Sequence, residues 1–196
     1  YKENDYAAFR EVLAEGQERY PVDLLAYCLM GNHWHLVLRP RTDRALSDFM
    51  RWIGVTHVRR HHQHYHHGAG GHLYQGRFKS FPVQDDAHLL TLLRYVEANP
   101  LRARIVPEAE SWEFSSLWQR GHRGKNCPRL SAWPIARPRN WRTIVNQAMD
   151  QAQLEQLRTS VARGRPFGEE DWVRKIVKKL GLQFTLNSLG RPRKKS

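Results

Sequence analysis

Apolar residues recur at helical spacing at Tyr6, Phe9, Val12 and Leu13, behind the capping residues Asn4 and Asp5 and ahead of Pro21. That pattern predicts an amphipathic helix running to about Tyr20. The next pattern has period two: an apolar run from Leu24 to Met30, the dipeptide Gly31-Asn32, and a second run from Trp34 to Leu38 closed by Pro40. Gly-Asn between two such runs predicts a tight two-residue turn and a β-hairpin. Strand side chains alternate, so His33, His35 and Val37 are expected on one face and Trp34, Leu36 and Leu38 on the other. Thr42 or Asp43 then opens a second amphipathic helix that buries Leu46, Phe49, Met50 and Ile53 and ends near His62.

Beyond it the segment His57 to His72 is crowded with histidine and glycine. Its spacing matches no fixed ligand pattern, so a mobile basic loop that gains charge as pH falls is expected there rather than a zinc or nickel site. Tyr74 to Val83 reads as a further strand, with Arg77 and Lys79 on one face and Phe78 on the other. Such mixing of aromatic and basic residues suits base stacking and phosphate pairing, and equally suits an ordinary solvent-facing edge strand. Asp85-Asp86 caps a third helix from Ala87 to about Asn99, stopped by Pro100, with Leu89, Leu90, Leu93 and Val96 as its core stripe. The order is helix, strand, strand, helix, strand, helix. One strand ahead of Tyr1 would complete a ferredoxin-like βαββαβ sandwich, an α+β fold, followed by the third helix. The aromatic run Trp112 to Trp118 is expected to pack back on this domain. Residues 120–142 read as a linker or irregular wrap, 142–161 as one helix, and 169–180 as a short helix with acids first and lysines last. The chain thus divides into a domain over 1–120 and a basic C-terminal extension over 121–196.

Charge sharpens this picture. Lys and Arg number 32 against 19 acids, a net charge of +13, and a polyanion is the expected partner. No acid occurs between Asp48 and Asp85 or after Asp171, and the chain ends in Gly-Arg-Pro-Arg-Lys-Lys, a tail suited to phosphates or a minor groove and equally to plain solvation. Two cysteines cannot make a disulfide framework, and no apolar run reaches membrane-spanning length, so a cytoplasmic protein without a membrane partner is expected.

Candidate chemistry lies in the hairpin and the third helix. Two imidazoles two residues apart on a rigid strand can hold a divalent cation, although a polar face with incidental histidines is the plain alternative. Tyr95 and Asn99 are four apart and share a helix face, so a tyrosine phenol and an amide oxygen can reach the same place. A cation held by His33, His35 and Asn99 would activate a phosphodiester that Tyr95 attacks, forming a phosphotyrosine. Tyr95 as a packing residue is the alternative.

The motifs GNHWHLVLRP, GHLYQGRFKSFPVQDD, LLRYVEANPLRARIV and GRPFGEEDWVRKIVKKLG with GRPRKK, in that order, resemble the REP-associated tyrosine transposases, relatives of the single-tyrosine HUH transposases. The resemblance spans nearly the whole chain. It implies a ferredoxin-like nuclease domain that cuts and rejoins single-stranded DNA at short palindromic hairpins. By that resemblance Tyr95 is the nucleophile, left on the 5′ phosphate, and His33, His35 and Asn99 ligate Mg²⁺ or Mn²⁺. Arg77, Lys79, Arg102, Arg165, Arg191 and Arg193 are weaker candidates for DNA contact. The implied partner is a single-stranded DNA hairpin, with no small-molecule cofactor, and the implied state is a monomer with a dimer as the alternative. Relatives commonly begin with a strand before the first helix, which would leave a sheet edge open here, and carry proline where this chain has Gly31. A hairpin-binding protein without catalysis and a hydrolase acting through metal-bound water are the competing readings.

Overall fold

The computed structural model describes residues 3–65, 73–122, 124 and 126–187. They form two compact units, the first from residues 1–78 and 92–148 and the second from 79–91 and 149–196.

In the first unit, helix α1 (Glu3–Arg19) leads into strands β1 (Val22–Leu29) and β2 (Trp34–Pro40), followed by helix α2 (Ala45–Tyr65). The strands pair antiparallel and the fold is α+β. Phe9, Val12 and Leu13 of α1 and Phe49, Met50 and Ile53 of α2 form the core with Leu24, Tyr27 and Leu29, and Trp34, Leu36 and Leu38 pack against it. The alternation expected for β2 therefore holds, with Trp34 facing the helices.

β1 is buried along its whole length. Its edge away from β2 is not open. Leu29 N donates to Phe114 O and Ser131 N to Leu24 O, with bridges Cys28–Ser115 and Leu24–Leu130. The aromatic run thus packs back as expected, Trp112 Nε1 donating to Leu29 O at 2.8 Å. Among the described residues β2 has no strand partner on its far edge. The register jumps from Leu24–Leu38 to Ala26–Val37, so Leu25 is an extra residue, a β-bulge. Its carbonyl accepts from Arg120 Nη2 at 2.6 Å and Trp133 Nε1 at 2.9 Å. Trp141 is buried as well, which carries the first unit through to Ala148. The boundary expected at residue 120 falls inside this unit, because these tryptophans and Arg120 satisfy and cover β1.

The strands close at Leu29–Trp34, and Met30 N donates to His33 O, which leaves Gly31 and Asn32 at the tip of the hairpin as expected. Neither has positive φ, which among the described residues occurs at Arg104, Asn126, Gly164 and Gly181. Three other expectations change. The segment Tyr74–Val83 forms no strand apart from an isolated bridge between Val83 and Phe167, and Arg77, Phe78 and Lys79 are exposed without a ladder to order them. Residues 57–65 of the expected basic loop continue α2, while 66–72 lie outside the described residues. His57 is buried against Phe9, and its Nδ1 meets the Tyr74 hydroxyl at 2.6 Å. Burial holds its pKa at about 4, so it does not charge in mildly acidic solution. Finally, helix 142–161 is two helices, α6 (Trp141–Asn146) and α7 (Gln151–Arg163). Asp150 between them caps the second by accepting from Gln153 N.

The second unit holds α7 and α8 (Glu170–Leu180), each ended by a glycine with left-handed φ, Gly164 at 69° and Gly181 at 66°. α8 buries Val173 and Val177 and leaves its lysines exposed. Helix α3 (Ala87–Glu97) starts in this unit, where Asp86 Oδ1 accepts from His88 N as the expected cap, and ends in the first.

Asp23, 3% exposed, accepts hydrogen bonds from Arg41, Arg39 and Ser131, which hold its carboxyl down at about 2. Its stabilising contribution is therefore complete above the ordinary carboxylate value of 3.8 and is lost as pH falls through about 2. Asp23→Asn is expected to cost about 2 kcal/mol at pH 7, and thermal unfolding of the two proteins converges between pH 4 and 2. An added Cβ at Gly31 meets the Tyr6 hydroxyl at 3.6 Å, an ordinary contact. Gly31→Ala is expected to be neutral or to stabilise by up to about 1 kcal/mol through the unfolded chain, as read by denaturant midpoints.

Candidate active site

The site is assembled from the β2 end of the hairpin and the end of α3. Because Trp34 turns to the core, where it stacks on Phe9, the histidines on either side of it project from the opposite face. The imidazole centroids of His33 and His35 are 5.0 Å apart. On the same face Cys28 pairs with His35 and Ala26 with Val37, a register that exists because of the bulge at Leu25. The Tyr95 ring stands edge-on to His35, centroids 5.9 Å apart. Three of the four residues singled out from the sequence are thus in direct succession: His33, His35, Tyr95.

Asn99 joins through the backbone. Pro100 does not end the helical path as expected. Ala98 keeps right-handed helical dihedrals, and a short helix α4 (Asn99–Arg102) continues directly, with Pro100 in its first turn, where no N–H is needed. Pro100 cannot donate to Val96 O, four residues back. The Asn99 side chain fills that role: Nδ2 donates to Tyr95 O at 2.9 Å and to Val96 O at 3.3 Å. With its nitrogen committed, Oδ1 is the atom of Asn99 left to accept or to ligate.

Helix α5 (Ser116–Gln119) and α6 fix this end of α3 through Glu97. That carboxylate, 0% exposed, accepts from Ser116 Oγ at 2.5 Å and Trp141 Nε1 at 2.7 Å, with Arg120 Nε at 4.0 Å. Burial outweighs these contacts and raises its pKa. Ser116 Oγ also accepts from Tyr27 N, so one hydroxyl links β1 to the tyrosine helix.

The electrostatics favour neutral imidazoles. Burial, then the neighbouring His33 and Arg102, holds His35 at about 4, and partial shielding from water lowers His33. His33 Nδ1 lies 2.7 Å from Asn32 Oδ1, so Nδ1 carries the proton and Nε2 keeps its lone pair. Neither the orienting role of Asn32 nor the Glu97 anchor is legible in the sequence, since Asn32 reads as a turn residue and no local pattern marks Glu97. Arg102 lies with its Cζ 4.2 Å over the Tyr95 ring. Its spacing from Tyr95, two helical turns, is a signal that treating Pro100 as a stop conceals.

The remaining candidates are elsewhere. Arg77 is exposed in irregular chain, Lys79 and Arg165 belong to the second unit, and Arg191 and Arg193 lie outside the described residues. His88 faces Asp86 and Phe167 within the second unit. Among the described residues no three His, Cys, Asp or Glu side chains gather to hold a metal, so the histidine-rich part of α2 makes no such cluster.

The His35 imidazole resonances are expected to titrate with a midpoint near pH 4. Because the folded value lies below the ordinary 6.5, the unfolded chain binds more protons between the two. His35 and His57 should both reduce stability as pH falls across that window, which urea midpoints from pH 7 to 4 would register.

The family described as "Transposase IS200 like" matches residues 1–99, the stretch that carries all four site residues. A Haemophilus influenzae protein named "Putative REP-associated tyrosine transposase" is 24% identical over 120 residues, which cover 56% of this chain and 66% of that protein, just under two thirds of its length. No solved structure matches the chain, and among the described residues no helix is long and apolar enough to cross a membrane. With its family match covering half its length and ending on Asn99, the chain belongs to the IS200-like transposases.

Proposed function

We propose that this protein is a single-stranded DNA endonuclease and strand transferase that acts at short palindromic hairpins through a covalent 5′-phosphotyrosine. The observation that carries the reading is the contact between the His35 and Tyr95 rings, with His33 beside them. A phenol held edge-on against one imidazole of a neutral pair suits attack on a phosphodiester. In the step proposed, the Tyr95 oxygen bonds to phosphorus as the bond to the 3′ oxygen breaks. The phenol proton is lost to solvent and the released 3′ oxygen takes one up as a hydroxyl. Reversal by an incoming 3′ hydroxyl rejoins the strand without ATP.

The donor set fits a hard divalent cation, Mg²⁺ or Mn²⁺. Two imidazoles kept unprotonated by burial and one amide oxygen whose nitrogen is already committed are ligands with free lone pairs. His33, His35 and Asn99 would hold it, and such an ion acts as a Lewis acid on the phosphate. The exposed cations Lys175, Lys178 and Lys179 of α8, with Arg77, Lys79 and Arg165, suit backbone contact with a hairpin. The hairpin and the α1–α2 layer would be part of a ferredoxin-like core, and the working state a monomer, with a dimer as the other outcome of sedimentation.

Incubation with an end-labelled hairpin oligonucleotide and Mg²⁺ or Mn²⁺ tests the proposal. A denaturant-resistant protein–DNA adduct is expected, absent with Tyr95→Phe or after chelation, and reduced at least about 100-fold with His35→Ala while hairpin binding persists. Cleavage without an adduct would mean hydrolysis by bound water. Binding without cleavage under either metal would mean a non-catalytic hairpin binder.

A further inference from the structure

Among the described residues, Arg102 lies against the proposed nucleophile without a carboxylate partner. Its guanidinium lies 4.2 Å over the Tyr95 ring, and Nη1 lies 3.5 Å from Tyr95 O. Among the described residues it makes no ion pair, although it is only partly exposed. The contrast with other arginines is informative. Arg39 and Arg41 are both committed to Asp23, Arg60 to Glu15 and Arg174 to Glu170, all on more exposed side chains. A shielded guanidinium without a carboxylate is costly unless an anion from outside completes it. The groups around it are the Tyr95 phenol, the Tyr95 carbonyl and the neutral His35 imidazole, none of which supplies negative charge.

We propose that Arg102 binds the phosphate that Tyr95 attacks and remains on it in the phosphotyrosine, a role distinct from general attraction of DNA. Two features give it that place. With Cζ 4.2 Å over the ring, the guanidinium lies close enough to the phenol for its N–H groups to serve a phosphate joined to the Tyr95 oxygen. The continuity of α3 and α4 across Pro100 makes the pair rigid, since Asn99 and Arg102 both bond the Tyr95 carbonyl. As the Tyr95–phosphorus bond forms and the 3′ oxygen leaves, charge grows on the non-bridging oxygens, and fixed donors there act more strongly on the transition state than on the bound substrate.

This inference rests on the phosphotyrosine reading, and the wild-type adduct separates the two: no adduct from wild type sinks that reading and this one with it. Given a wild-type adduct, Arg102→Ala and Arg102→Met are expected to form it about 100-fold more slowly, while hairpin affinity falls less than about tenfold, as for one phosphate contact. Added guanidinium chloride at millimolar concentration should restore part of the Arg102→Ala rate and none of the Tyr95→Phe rate, an effect that loss of packing cannot produce. Arg102→Lys should retain an intermediate rate, and thermal unfolding and near-ultraviolet circular dichroism of each variant should match wild type. Adduct formation at the wild-type rate in Arg102→Ala would overturn the inference. So would a rate loss no larger than the binding loss and indifferent to guanidinium, which would return Arg102 to the general DNA-contact surface.

Discussion

A two-stranded hairpin is marginal in water and cannot by itself hold two side chains in register. Everything at this site depends on how the far edge of β1 is closed. Phe114, Ser115, Leu130 and Ser131 provide its hydrogen-bonding partners, and Arg120 and Trp133 take the carbonyl that the Leu25 bulge leaves unpaired. The bulge puts Cys28 and Ala26 on the face of His35 while Tyr27 and Leu29 stay with the helices. A register shift of one residue would turn the strand over. Residues a hundred positions along the chain therefore decide which way the histidines point.

The tyrosine is positioned by an equally long-range device. Glu97 is a carboxylate with no exposure, satisfied by a serine hydroxyl and an indole N–H, and the same serine takes the Tyr27 amide. Three residues toward the C-terminus, Pro100 removes an N–H and Asn99 replaces it, so a potential break in the helix becomes an oriented amide. Helix and strand are thereby locked at one point, and the ring contact between His35 and Tyr95 follows from it. The positive potential of Arg102 and the shielding of His35 act in the same direction, since both keep the imidazole neutral.

Much of this was legible in local pattern. The alternation around His33-Trp34-His35, the stripes of α1 and α2, the Asp86 cap and the polarity of α8 are all short-range signals of period two or 3.6, and the structure follows them. The readings that failed did so where a local signal was outweighed. Tyr74 to Val83 has strand-like residues but no ladder to join, and Tyr74 instead gives its hydroxyl to His57. The histidines of α2 looked like a loop because their number hid helical continuity up to Tyr65.

Local pattern alone assigns α1, the hairpin, α2, α3 and α8 and places four candidate groups on them, because helix and strand periodicity assign faces within a few residues. It could not determine that Asn32 sets the His33 tautomer, that Glu97 anchors the tyrosine helix to Ser116 and Trp141, or that Arg102 lies on Tyr95 rather than reaching into solvent. The first and last are side-chain conformations within one segment. The Glu97 anchor is a fact of tertiary structure, because its own helix leaves that buried carboxylate unsatisfied until distant segments pack against it.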